Sequence, residues 1–91
     1  IKPEFIKEGW SRDKIVDKIM NHGYPAFSGS CSEIYLEKCF VDLGYSPVKR
    51  LPVAKELGEN SLMFLVHPTI TEVQMYDYAQ IIKKIILEAT L

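Results

Sequence analysis

The sequence predicts an α+β fold in which a small antiparallel or mixed sheet packs against helices. Apolar residues recur at helical spacing after Ser11 and again after Thr71, which predicts two long helices. Between these two helices, the continuous apolar run over residues 61–66 has the length of a strand. A length of 91 residues suits one domain, so we expect a single domain over residues 1–91.

The composition excludes several classes of protein. Hydrophobic residues make up 47% of the chain and charged residues 25%, which is typical of a globular domain and argues against disorder. The net charge of −1 gives no basic cluster for nucleic acid, and no apolar run reaches the length of a membrane span. We therefore expect a cytoplasmic protein without nucleic-acid or membrane partners, in which both cysteines are reduced thiols.

Local signals define the first part of the chain. Ser11 is a good N-cap for a helix that carries Asp13 in its first turn, and Gly23 suits a left-handed cap after the helix. The apolar face of this helix contains Ile15, Val16, Ile19 and Met20. The opening residues 1–6 resemble the end of a strand, where Pro3 is tolerated at a sheet edge.

The middle of the chain predicts a strand, a loop and two shorter helices. Pro25 favours an extended conformation at Tyr24, and a polar loop of small residues follows from Ser28. A helix is predicted from Ser32 to Gly44, and a shorter one from Pro52 to Leu57 that Gly58 ends. The apolar face of the first of these helices contains Leu36, Cys39, Phe40 and Leu43, which places Cys39 in the core.

The last third predicts a buried strand and a long amphipathic helix. The run over residues 61–66 suits a strand that is buried on both faces. Thr71 and Gln74 have the spacing of a capping box, and a broad apolar stripe follows. This stripe is wider than one small sheet requires, which indicates a missing neighbour, additional core or self-association.

The residues by themselves identify no complete catalytic set. His22 and His67 together with the two cysteines match no usual zinc spacing, so we predict no metal site. Cys31 lies in a polar loop before a predicted helix, where a thiol can become nucleophilic, but no family signature surrounds it. Arg50 lies in a loop and could bind a carboxylate, whereas the simpler interpretation is a surface residue.

Two stretches of the sequence resemble a known family. Residues 11–40, which include the run Gly29–Lys38 (GSCSEIYLEK), and residues 50–71 resemble the C-terminal region of the DegT/DnrJ/StrS aminotransferases. The family motifs correspond here to Arg12–Ile15, Tyr24–Phe27, Pro52–Ala54 and Ser61–Thr71. The resemblance implies the small C-terminal domain of a fold-type I enzyme, with its large cofactor-binding domain upstream of Ile1.

The same resemblance implies a function and a set of site residues. The parent enzyme would use pyridoxal 5′-phosphate to aminate a nucleotide-linked keto-sugar for polysaccharide or surface-sugar synthesis, with an amino acid as donor, and would form a homodimer. Four loop residues, Ser30, Cys31, Ser32 and Glu33, would face the substrate. Arg50 would contact the carboxylate of the amino donor. We expect no catalytic or cofactor-binding residue in this chain, which would bind no cofactor and be inactive alone.

Two other functions fit the sequence. The chain could be a stand-alone α+β module that binds a partner or a small ligand without catalysis, because a fold does not determine a function. A cysteine-dependent enzyme built on Cys31 is the other alternative, and it requires a base beside the thiol.

Overall fold

The computed structural model describes every residue from 1 to 91 and confirms the α+β prediction. The elements, in chain order, are a 3-10 helix at Pro3–Phe5, α1 at Arg12–Asn21, β1 at Ala26–Phe27, a second 3-10 helix at Ile34–Leu36, α2 at Lys38–Asp42, α3 at Pro52–Asn60, β2 at Met63–Phe64 and α4 at Glu72–Ala89. The two strands form one antiparallel sheet. No helix, including the 18-residue α4, is long and apolar enough to cross a membrane.

The helix ends follow the local signals in the sequence. The Ser11 hydroxyl accepts a hydrogen bond from the backbone N–H of Lys14 at 3.2 Å, which caps α1. Gly23 has φ +85°, a conformation that favours glycine after a helix. Thr71 and Gln74 form the predicted capping box at the start of α4, with each side chain bound to the backbone of the other residue.

The core lies where α1 and α4 cover one face of the sheet. In the sheet, Ala26 pairs with Phe64 and Phe27 with Met63. Six residues are fully buried: Ile15, Ile19, Ala26, Tyr78, Ile85 and Ala89. All six come from α1, β1 and α4, whereas residues 28–77 contribute only the partly buried Leu62 and Phe64, which pack against this core.

The prediction of a continuous helix from Ser32 to Gly44 is wrong, because an extended residue interrupts the helical segment. A 3-10 turn ends at Leu36, Glu37 is extended with ψ 140°, and α2 begins only at Lys38. The Ser46 hydroxyl donates to the carbonyl of Tyr35, an acceptor that a continuous helix would use for its own ladder. Cys39 is exposed, contrary to the core position expected for it, because no other element covers the short α2.

Three further predictions of element boundaries are wrong. Helix α3 continues through Gly58 to Asn60, and the predicted strand over residues 61–66 shrinks to Met63–Phe64. That strand is half-exposed, because helices cover only one face of the sheet. The opening residues form a 3-10 helix, and only Ile6 makes an antiparallel bridge, to Thr90.

The chain has more surface than a compact domain of its size. Its radius of gyration is 16.3 Å, whereas a compact chain of this length has about 12 Å. Its accessible surface is 6819 Å², against about 5,400 Å² for a compact monomer of this mass. The excess is apolar in part, since Val48, Tyr45 and Val66 are all more than 70% exposed.

Replacement of Tyr78 tests the packing of the core. Its ring stacks on Tyr24 with centroids 5.1 Å apart, it meets Phe64 edge-on at 6.1 Å, and its hydroxyl donates to the carbonyl of Pro25. Tyr78→Phe keeps both ring contacts and removes the hydrogen bond, so we expect it to lower the free energy of unfolding by about 1 kcal/mol. Urea unfolding followed by circular dichroism measures this loss.

The matched control is Tyr76→Phe, because Tyr76 lies on the same helix and is 65% exposed. A loss for Tyr78→Phe that is no larger than the loss for this control would contradict the buried hydrogen bond.

Candidate functional site

The polar loop after β1 forms one wall of an open cleft. Helix α3 and the residues leading into β2 form the other walls, and the cleft has a volume of about 590 Å³. Its lining residues are Gly29, Ser30, Ser32, Val53, Ala54, Leu57, Ser61, Leu62 and Met63. The cleft therefore brings two of the five predicted substrate-binding residues, Ser30 and Ser32, against an apolar helix face.

Two glycines let the loop approach the rest of the cleft. Gly29 has φ +88°, which favours glycine, and a Cβ at this position would lie 3.3 Å from the Cβ of Ser61. Gly58 lies within α3 directly under Ser32, and a Cβ there would collide with the Ser32 hydroxyl. The sequence interpretation assigned Gly58 to a helix end, but its role is to admit the loop.

Hydrogen bonds from Arg12 connect α1 to the segments that line the cleft. Its Nη1 lies 3.1 Å from the carbonyl oxygen of Ser28, 2.9 Å from that of Gly58 and 3.1 Å from that of Ser61. Its side chain is only 13% exposed, and its Nε contacts Asp13. One guanidinium thus connects the loop, the last turn of α3 and the segment before β2, all of which line the cleft.

Glu33 and Arg50 form a bidentate ion pair beside the cleft. Nε of Arg50 donates to Oε1 of Glu33 and Nη2 donates to Oε2, both at 2.6 Å. The Tyr35 hydroxyl donates to Oε1 of Glu33 at 2.8 Å and accepts from the backbone N–H of Leu51 at 3.0 Å. Tyr35 therefore ties the loop that carries Glu33 to the segment that carries Arg50.

The pair keeps both of its members charged. The hydrogen bonds from Arg50 lower the pKa of Glu33 from 4.5 to about 2, with a smaller contribution from Tyr35. The same hydrogen bonds raise the pKa of Arg50 above its ordinary value. Partial burial raises the pKa of Tyr35, so that the phenol stays a hydrogen-bond donor to the carboxylate.

Cys31 is exposed, and its hydrogen-bond partner is a carboxylate and not an imidazole. Its thiol lies 3.7 Å from a carboxylate oxygen of Glu37. The ring nitrogens Nδ1 of the two histidines are bound elsewhere, to the carbonyl of Lys18 for His22 and to the hydroxyl of Thr69 for His67. The structure contains no group of three or more side chains that could hold a metal ion.

A second cavity, of about 350 Å³, lies between the end of α1 and the start of α4. Tyr24, His67, Gln74 and Tyr78 line it together with apolar residues. Three of these side chains form hydrogen bonds within the chain: His67 with Thr69, Gln74 in the capping box and Tyr78 with the carbonyl of Pro25. None of the predicted site residues lies in this cavity.

The cleft does not have the residues of a pyridoxal phosphate site. That cofactor needs a lysine for its aldehyde, an acidic partner for its ring nitrogen and donors for its phosphate. The lining of the cleft contains no lysine, no carboxylate and no arginine. The lining of this cleft therefore lacks the groups that the cofactor needs.

Tyr35 and the role of Arg12 are not among the features predicted from the sequence. Arg12 occupies the first position of α1, where the helix dipole disfavours a cation, and this unfavourable placement is a signal of a specific partner. Tyr35 lies two residues after Glu33, but no pattern in the sequence predicts that its hydroxyl reaches Leu51. The substrate-binding roles of the five predicted residues remain predictions.

The chain is similar to a solved aminotransferase structure. The X-ray structure of the aminotransferase from Psychrobacter cryohalolentis superimposes on it with a TM-score of 0.90 and 49% sequence identity, over 97% of this chain and 22% of that one. This chain thus spans about a fifth of that aminotransferase and is similar to one segment of it. No protein-family model and no curated protein matches the chain.

Acid unfolding tests the Glu33–Arg50 pair. Because the folded chain holds the pKa of Glu33 at about 2 instead of 4.5, the ionised carboxylate stabilises the folded state above pH 4.5. This stabilisation is lost as the pH falls from 4.5 towards 2. The difference in free energy of unfolding between the wild type and Glu33→Gln should therefore be largest above pH 4.5 and decrease towards pH 2.

Glu56→Gln is the matched control, because the side chain of Glu56 lies on α3 without an ion pair. Chemical unfolding of the three proteins at a series of pH values measures the difference. A stability difference between wild type and Glu33→Gln that stays constant over this pH range would show that the pair does not perturb the titration of Glu33.

Proposed function

We propose that this chain is the small C-terminal domain of a pyridoxal phosphate-dependent aminotransferase of the DegT/DnrJ/StrS family. The parent enzyme transfers an amino group from an amino acid to a keto-sugar that is linked to a nucleotide. Its product enters the synthesis of polysaccharides or other surface sugars in the cytoplasm. The observation that carries the proposal is the 49% identity to a solved aminotransferase over 97% of the chain.

The surface of the chain supports a larger parent protein. The part that carries the cleft, residues 28–66, contributes no buried side chain and exposes large apolar residues on several of its elements. Exposure of these apolar side chains to water is unfavourable in free energy, and a second domain that covers them would bury them. We propose that the large domain of the same protein, which binds the cofactor, packs against this part, and that the parent is a homodimer.

In this proposal the chain supplies one wall of the substrate site. Ser30, Cys31, Ser32 and Glu33 present small polar groups, and Arg50 lies beside them through its pair with Glu33. The cofactor supplies the electron-sink chemistry of amino transfer when it is bound to the large domain. The residues of this chain bind and orient the substrate and take no part in the covalent steps.

Cysteine catalysis is the less favoured function. A cysteine nucleophile needs a base within hydrogen-bond reach, and the polar atom beside Cys31 is a carboxylate oxygen of Glu37 at 3.7 Å. The stand-alone binding module differs from the proposal because it requires neither a second domain nor catalysis.

The test uses the complete reading frame that encodes this chain. The full protein is purified with pyridoxal 5′-phosphate, and the formation of 2-oxoglutarate from glutamate is measured in the presence of nucleotide-linked keto-sugars. We expect turnover by the full protein and none by the 91-residue chain, because the lining of the cleft contains no lysine and no carboxylate for the cofactor.

The outcomes separate the alternatives. A full protein without amino transfer to any keto-sugar would contradict the proposed substrate. Turnover by the 91-residue chain alone would contradict the assignment of the chemistry to another domain. A reading frame that adds no second domain would favour the stand-alone binding module.

A further inference from the structure

The Glu33–Arg50 pair is not saturated by its own hydrogen bonds. Arg50 has five N–H donors, and Glu33 takes two of them, one from Nε and one from Nη2. An ionised carboxylate accepts about four hydrogen bonds, and Glu33 receives two from Arg50 and one from Tyr35. One acceptor position on Glu33 Oε2 therefore remains beside the unused donors of Arg50.

The unused groups are accessible, and both residues are close in sequence to residues that line the cleft. The Arg50 side chain is 51% exposed and the Glu33 side chain is 15% exposed. Ser32, the residue before Glu33, lines the cleft, as does Val53 at the start of α3. A ligand that extends from the cleft beyond Ser32 can therefore contact the exposed groups of the pair.

The pair favours a neutral ligand over an anionic one. Arg50 and Glu33 together carry no net charge, so the attraction of the guanidinium for a second carboxylate is offset by repulsion from the first. A hydroxyl group can donate to Glu33 Oε2 and accept from Arg50 at the same time, whereas a carboxylate can only accept. The geometry matches a group that is both donor and acceptor.

We propose that Glu33 and Arg50 together bind hydroxyl groups of the sugar substrate, and that Tyr35 is a positioning residue that holds the pair for this contact. This inference rests on the proposed function and replaces the expected contact of Arg50 with the carboxylate of the amino donor. Tyr35 acts by fixing Glu33 and the backbone of Leu51, so that the donors and the acceptor face the ligand in one arrangement.

Steady-state kinetics of the full enzyme tests the assignment. Glu33→Gln replaces one carboxylate oxygen with an amide donor, which breaks the bidentate pair, halves the number of acceptor oxygens and leaves the arginine charge uncompensated. We expect the KM for the keto-sugar to rise roughly tenfold, as for the loss of one or two hydrogen bonds, with kcat and the KM for glutamate unchanged. Tyr35→Phe should raise the same KM by a smaller factor, again without a change in kcat.

Glu56→Gln and Tyr45→Phe are the matched controls, since both side chains are exposed and lie outside the pair. Thermal unfolding of each variant excludes a general loss of structure. If Glu33→Gln lowers the KM for glutamate, Arg50 is a carboxylate site that Glu33 masks, and the inference is wrong. An unchanged KM for the keto-sugar would also overturn it.

A binding measurement on the 91-residue chain distinguishes this inference from the proposed function, because it needs no turnover. The Arg50 Nε–H signal is followed by NMR during titration with methyl glucoside, with sodium acetate and with sodium chloride as the ionic-strength control. We expect methyl glucoside to shift the signal and acetate to have no effect beyond that of chloride. A shift with acetate alone, or with neither probe, would contradict the inference even if the full protein is an aminotransferase.

Discussion

The hydrogen bonds of the Arg12 guanidinium hold the two parts of the chain together. The buried core comes entirely from α1, β1 and α4, so apolar burial alone does not fix residues 28–61. Arg12 compensates by binding three backbone carbonyls of this part, including that of Gly58 in the last turn of α3. Helix C-termini leave such carbonyls without partners and favour cations, so one side chain both ends α3 and positions the cleft.

Features of the fold that depend on neighbouring residues could be predicted from the sequence. Ser11, Gly23 and the pair Thr71–Gln74 define the ends of α1 and α4 through contacts within four residues, and each behaves as its pattern indicates. The α+β class follows from the same signals. Features that depend on distant contacts were wrong or missed: Ser46 interrupts a predicted helix by binding Tyr35, and Gly58 serves the packing of Ser32 instead of ending α3.

In the candidate site, too, the contacts between residues distant in sequence were not predicted. Glu33 and Arg50 were each predicted to bind the substrate, but their pairing was not predicted, because they lie 17 positions apart in the sequence. Tyr35 was missed because its role requires the backbone of Leu51, which only the folded chain brings near. The folded chain brings a charged pair and a phenol close to a loop of small polar residues, and the cleft that this loop lines contains no lysine, carboxylate or arginine.

Amide hydrogen exchange of Arg12→Met tests most directly whether the hydrogen bonds of Arg12 hold residues 28–61 against α1. Hydrogen bonds from a charged group contribute about 1.5–3 kcal/mol, so their loss should speed exchange of the α3 amides roughly tenfold or more. The amides of α1 and α4 that surround the core should keep their protection, and Lys84→Met on the exposed side of α4 serves as the control. Unchanged exchange in α3, or an equal increase in all helices, would contradict the account.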